Sequence, residues 1–246
     1  MTADPLAPLT ELPGVAAAAE QARDALGRAH RHRANLRGWP ATAAEAALRA
    51  ARASSALDGG PLFAGALRVA QALEGGQTNL VGVWQRAPLQ ALARLHMLAA
   101  ADQVDADRLG RPRADADVAP RLELLAEVVT GGTQAPPAVV AAVAHGELLT
   151  LAPFGSADGL VARAVSRLVT IVTGLDPHGL GVPEVSWMRG ASDYRAAAQG
   201  FAAGTPDGMR AWLMVCCRAM QTGAQEALAI ADSVANQDAR PRRADM

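Results

Sequence analysis

The sequence predicts an all-α, single-domain protein, on three observations. Apolar residues recur with a helical period: Val161, Ala164, Val165, Leu168, Val169 and Val172 fall at i, i+3, i+4, i+7, i+8 and i+11. Trp212, Val215, Cys216, Ala219, Met220 and Gly223 repeat that spacing. No apolar/polar alternation lasts six residues, so few strands are expected. The 246 residues include 58 alanines but only 3% aromatics, and small side chains let helix axes approach closely.

Punctuation sets the helices in order. One is expected over residues 14–33. A second covers 42–57, with Thr42 as N-cap and Asp58-Gly59-Gly60-Pro61 as the stop. Others are expected over 62–73, 89–101, 118–130, 136–151, 157–172, 192–203 and 205–234. Residues 102–117 are polar, carry Gly110 and Pro112, and read as a loop or a short hairpin. Residues 1–12 and the tail 236–246 read as mobile. No Pro/Ser-rich linker or internal repeat divides the chain.

Composition excludes several function classes. A chain that is 50% hydrophobic, with a formal net charge of −1, is neither disordered nor a bulk-charge nucleic-acid binder. All 23 basic residues are arginine, which together with the alanine surplus fits GC-rich coding of bacterial type. Scarce aromatics leave no stacking platform for bases, so no specific nucleic acid is expected. Cys216 and Cys217 are adjacent, which disfavours a disulfide between them, and no CxxC offers a zinc site. A reducing, cytoplasmic compartment is expected. The first residues, MTADPLAPLTEL, lack the basic stretch of a signal peptide. Charged residues and His145 interrupt the most apolar runs, so no membrane span is expected.

Most candidate sites dissolve under inspection. His145, in a helix apolar nearly all round, and His96 read as core histidines satisfied by backbone carbonyls. Asp105-Ala-Asp107-Arg-Leu109-Gly110 begins like a calcium loop, but its fifth position is Leu109 and its twelfth is Ala116. His30-Arg31-His32-Arg33 reads as a solvated helix end. The arginines between Arg240 and Arg243 are too few to mark a nucleic-acid tail. Gly75-Gly76 and Gly131-Gly132 lack a dinucleotide or P-loop context.

One segment is informative: Leu151-Ala-Pro-Phe-Gly-Ser-Ala-Asp-Gly159-Leu-Val-Ala-Arg163. A small-residue turn leads into a helix N-terminus, where free N–H groups and the helix dipole favour an anion. Arg163, one turn inside, can face the same spot. The turn reads either as a tight helix–helix connection or as a phosphate site.

This segment resembles the motif of the Fic/Doc (Fido) family, H-P-F-x-[DE]-G-N-G-R-x-x-R. The likeness runs without a gap from Ala152 to Arg163 and keeps Pro153, Phe154, Gly159 and Arg163. His145 lies seven residues before the motif start, as in family members. Leu95-His96-Met97-Leu98 is similar to a family helix, Gly110-Arg-Pro-Arg113 to the region before the target-docking flap, and Tyr194 to Trp212 to the last helices. Ser54-Ser-Ala-Leu-Asp58-Gly59 resembles the inhibitory-helix motif [ST]-x-x-x-E-[GN], with Asp for Glu. The likeness covers roughly residues 41–230. It implies a helical Fido fold with N-terminal helices over 13–75, including the inhibitory-like one, and a core over 76–235. It also implies that Asp58 meets Arg163, although Asp is one methylene shorter than Glu.

The departures bear on chemistry. Family enzymes transfer AMP, or another phosphate-containing group, to a protein hydroxyl. The general base is replaced by Ala152, forfeiting a typical ~10²–10⁴-fold contribution. The magnesium-holding acid is Ser156, a poor ligand for a hard cation. The first phosphate-pairing Arg is Leu160, and the Asn is Asp158, whose charge would repel a phosphate. The sequence thus points to an impaired Fic-fold protein that binds a partner, with Phe154, Gly155, Ser156, Ala157, Gly159 and Arg163 lining an anion-type cleft and Ser54, Asp58 and Gly59 as the inhibitory-like element. No metal site and no cofactor is expected. The alternative is a transferase of altered chemistry using Asp158 as its acid/base, and only that alternative calls for ATP and magnesium. A second alternative is an unrelated helical interaction domain.

Overall fold

A computed structural model of the chain describes residues 4–60, 62–74 and 79–238. The helices, in order, are α1 (Ala7–Thr10), α2 (Val15–His30), α3 (Arg33–Leu57), α4 (Phe63–Leu73), α5 (Leu80–Arg86), α6 (Pro88–Ala100), α7 (Val118–Val129), α8 (Pro137–Leu151), α9 (Asp158–Val172), α10 (Pro183–Arg189), α11 (Ala191–Ala202) and α12 (Pro206–Asp238). Helix α8 sits at the centre. It is apolar on nearly every side and packs against α9, α7, α11, α12 and α2. Helix α2 lays Val15, Ala18, Ala19, Ala22, Leu26 and Ala29, one helical stripe, mainly on α12. No strand occurs among the described residues, so of the loop or short hairpin expected over 102–117 it is the loop that forms.

Four expectations need correction. Helix α3 starts at Arg33 rather than at residue 42, and it passes through Pro40. A proline removes one N–H from a helix, but buried Asn35 ties this turn together. Its side chain donates to the Ala29 carbonyl (2.7 Å) and accepts from the Thr42 hydroxyl (2.6 Å), so Thr42 is an internal brace and His32 is the cap. Helices α5 and α10 were not legible, being seven residues each and too short for a repeating stripe. From Asp4 on, the start of the chain is tethered: Asp4 accepts from Thr133 Oγ1 (2.6 Å) and the Gln134 N–H (2.7 Å), and α1 follows, while residues 1–3 lie outside the described residues. The last helix runs to Asp238, past the expected end; residues 239–246, with Arg240 and Arg243, and the Gly75-Gly76 pair lie outside the described residues.

The alanine-rich composition is spent on close crossings. At Gly65, where α4 meets α6, a Cβ would lie 2.0 Å from the Ala99 carbonyl oxygen. Neither backbone can yield locally. Gly65→Ala is therefore expected to cost about 3 kcal/mol, the upper part of the overpacking range, in a urea titration. Unchanged stability would show that these helices are not this close.

Candidate functional site

The site is built on the turn between α8 and α9. Ala152, Gly155 and Ala157 all have positive φ, at 44°, 69° and 52°. Glycine adopts such angles freely, whereas each alanine costs about 1–2 kcal/mol, so contacts outside the turn must hold it.

Asp158 supplies the first of these. Ala157, at the N-cap, has no capping oxygen. Asp158 reaches back instead, its Oδ1 accepting the Phe154 N–H at 2.9 Å. The Gly155 and Ser156 N–H groups also act on this carboxylate. Burial raises its pKa above the usual carboxylate value, while these N–H groups and nearby Arg113 pull the other way. A carboxylate of the chain itself thus lies in the amide cradle at the start of a 15-residue helix.

Arg113 is the second. It donates from Nε to the Ala152 carbonyl (3.0 Å) and from Nη2 to the Leu151 carbonyl (2.9 Å), satisfying the open end of α8. Its backbone N–H meets the Pro153 carbonyl at 2.7 Å, and Nη1 pairs with Asp115. The third is His96. Its Nδ1 accepts the Gly110 N–H (2.9 Å), so the neutral ring carries its proton on Nε2 and donates to Ser156 Oγ (3.0 Å). Burial lowers its pKa, consistent with that neutral form. The ring stacks on Phe154 at 4.0 Å and 5°. Both histidines expected to bond carbonyls thus use other partners, and His96 ties Gly110 to the turn.

Arg163 faces the other way, toward α3. Only 2% exposed, it donates from Nε to Ser54 Oγ (2.7 Å) and from Nη2 to the Ser54 carbonyl (3.1 Å) and Asp58 Oδ2 (2.6 Å). Asp58 therefore reaches Arg163 despite its shorter side chain. Gly159 makes room: a Cβ there would stand 2.7 Å from Asp58 Oδ1. Gly59 ends α3 at φ 85° and adds nothing to the cluster. Behind Arg163 stands the Tyr194 phenol, whose pKa is pushed up to about 12 by burial. Tyr194 OH lies 2.8 Å from His145 Nε2, and the Trp187 and Trp212 rings close around that histidine. His145 is fully buried, and burial drives its pKa well down, with the Arg163 charge adding to the effect.

Leu160 is buried and faces a narrow cavity of about 40 Å³ between α3, α4 and α9, lined by alanines and reaching Arg163. That space has room for about three or four waters, at about 10–15 Å³ each. Among the described residues no three His, Cys, Asp or Glu side chains come together as a metal set. No helix of the described residues is long and apolar enough to cross a membrane.

The turn and the α3 contact were both expected. The roles of Arg113, His96 and Tyr194 were not: isolated arginines in a polar loop and core-like histidines carry no periodic signal.

A Fic family protein from Desulfovibrio desulfuricans G20, solved by crystallography, shares this architecture with a TM-score of 0.67 over 94% of this chain and 77% of its own, at 16% identity. This chain has a Fic fold. No family model matches the sequence, and neither does any curated protein. The Fic fold accounts for the helix–turn–helix at α8–α9 and for the all-helical core around it.

Proposed function

We propose that this Fic-fold protein is catalytically impaired and acts as a regulatory or binding protein in the cytoplasm, with a protein as its partner. The observation that carries the reading is Asp158 in the turn's amide cradle. A phosphate bound there would need the same N–H groups and would meet a carboxylate within a few ångströms. Such a pair repels by about 4 kcal/mol at an effective dielectric of 20.

ATP with magnesium does not fit the remaining groups either. The hydroxyl of Ser156 receives the His96 N–H, Leu160 is buried among apolar side chains, and Arg163 is already neutralised by Asp58. At position 152 a methyl group cannot accept a proton, and Arg113 covers that residue's carbonyl. Apart from Asp158, proton transfer and charge stabilisation, the two means of phosphoryl-transfer catalysis, thus have no group to perform them in the turn.

One observation favours a second reading. Asp158 is a half-buried acid with a raised pKa, a property shared by catalytic acids. Incubation with labelled ATP and other nucleotides separates the two. The impaired reading expects no label on the protein in the wild type, Asp158→Ala or Arg163→Ala. Self-labelling lost in Asp158→Ala would establish the acid/base reading instead. Removing the carboxylate is also expected to strengthen pyrophosphate binding by at least about tenfold, measured by calorimetry, because the amides are freed and the repulsion is gone. Equal or weaker binding would mean that Asp158 is not what keeps anions out.

A further inference from the structure

The α2–α3 corner lies outside the site. From Ala25 to Ala44 the chain has four arginines, two histidines and no acidic residue. Arg28, Arg31, Arg33 and Arg37 are all exposed. Elsewhere Arg49, Arg68, Arg113 and Arg121 each meet a carboxylate. Among the described residues Arg28, Arg31, Arg33 and Arg37 do not; at the corner it is the histidines that pair with carboxylates, His30 with Asp176 at 2.8 Å and His32 with Asp232 at 3.2 Å.

On α3, Arg33, Leu36, Arg37 and Pro40 fall at i, i+3, i+4 and i+7, forming one outward stripe, and all are exposed. Leu36, at 67%, is the most exposed large apolar side chain among the described residues. Pro40 lacks an N–H, so the Leu36 carbonyl has no i+4 donor within the helix. Solvated arginines alone are ordinary. An apolar side chain held out between two unpaired guanidinium groups presents charge and hydrophobic contact together.

We propose that this corner docks an acidic, amphipathic peptide segment of a partner protein. Guanidinium forks suit carboxylates, which they bind in bidentate fashion. Leu36 receives an apolar side chain of the same segment. A nucleic acid would call for an aromatic ring, but Trp39 is committed to stacking on His178, at 4.1 Å and 8°. A membrane would call for a broad apolar face, and this stripe offers a single leucine. The proposal does not depend on the Asp158 reading, because the two surfaces share no residue.

The test uses the full-length protein and a fluorescent peptide of about fifteen residues, rich in Glu with Leu at helical spacing. A second peptide has the leucines replaced by serine. Phosphatidylserine vesicles and single-stranded DNA serve as competitors. Binding of the leucine peptide is expected, weakened about tenfold or more by the double change Arg33→Glu and Arg37→Glu. Leu36→Ser is expected to weaken the leucine peptide severalfold and to leave the serine peptide unaffected. Thermal melts confirm that these surface variants fold. No binding by the wild type, equal affinity of the variants, or tighter binding to DNA or vesicles than to the peptide each overturns the proposal.

Discussion

Replacing Asp58 with alanine is expected to destabilise the protein by about 3–5 kcal/mol, the usual cost of depriving a buried charge of its partner. Arg163 is 2% exposed and keeps its charge against burial because the Asp58 carboxylate pairs with it at 2.6 Å. Without the carboxylate, the Ser54 hydroxyl and carbonyl remain as acceptors but bring no compensating charge. Asp58 is itself 22% exposed on its side chain, so water entering from that side places the effect near the low end. Asp58→Asn keeps an acceptor and loses only the charge, so about half the effect is expected. Urea unfolding at neutral pH measures both. A loss below about 1 kcal/mol for Asp58→Ala would show that the α3–α9 link is ornamental and that Arg163 is held from elsewhere.

The second large effect is a loss of stability in mild acid. His145 is buried and neutral, with a folded pKa well below the 6.5 of an exposed histidine. Between those two values the unfolded chain takes up a proton that the folded chain refuses. Its contribution is therefore fully present above about pH 6.5 and drains away below it, at about 1.4 kcal/mol per pH unit. His96 is lowered in the same direction, and its window is narrower. His178, also lowered by burial, adds in the same sense. Asp158 has the opposite sign: its folded pKa is raised, so between the unfolded value of 3.8 and that raised value falling pH favours the folded state. From pH 7.5 to 5.5 the unfolding free energy is expected to fall by about 1.5–2.5 kcal/mol. His145→Gln should flatten most of that slope. A profile that is level over this range in the wild type would contradict the neutral, buried state of His145.

Some of this was legible in the sequence for physical reasons. Long stripes such as Val161–Val172 read as helices, and the nearly all-apolar run over 136–151 read as a buried one. The turn after Leu151 could be read because a motif fixes spacing, and spacing survives drift in side chains. Three things were hidden. Thr42 read as an N-cap, yet its hydroxyl bonds Asn35 inside a helix that starts nine residues earlier and passes through Pro40. The reach from Asp58 to Arg163 depends on how near α3 lies, which Gly159 decides and no local pattern reveals. Asp158 suggested repulsion of phosphate; that its carboxylate would turn back onto the Phe154 N–H depends on a turn with three positive φ angles, two of them at alanine.

The central claim is that the amide cradle before α9 is filled by the protein's own carboxylate and is closed to a metal–nucleotide. Calorimetric titration of ATP into the wild-type protein, with and without magnesium, tests it most directly. The account predicts no binding heat at millimolar ATP in either condition. Tight binding that requires magnesium would contradict it.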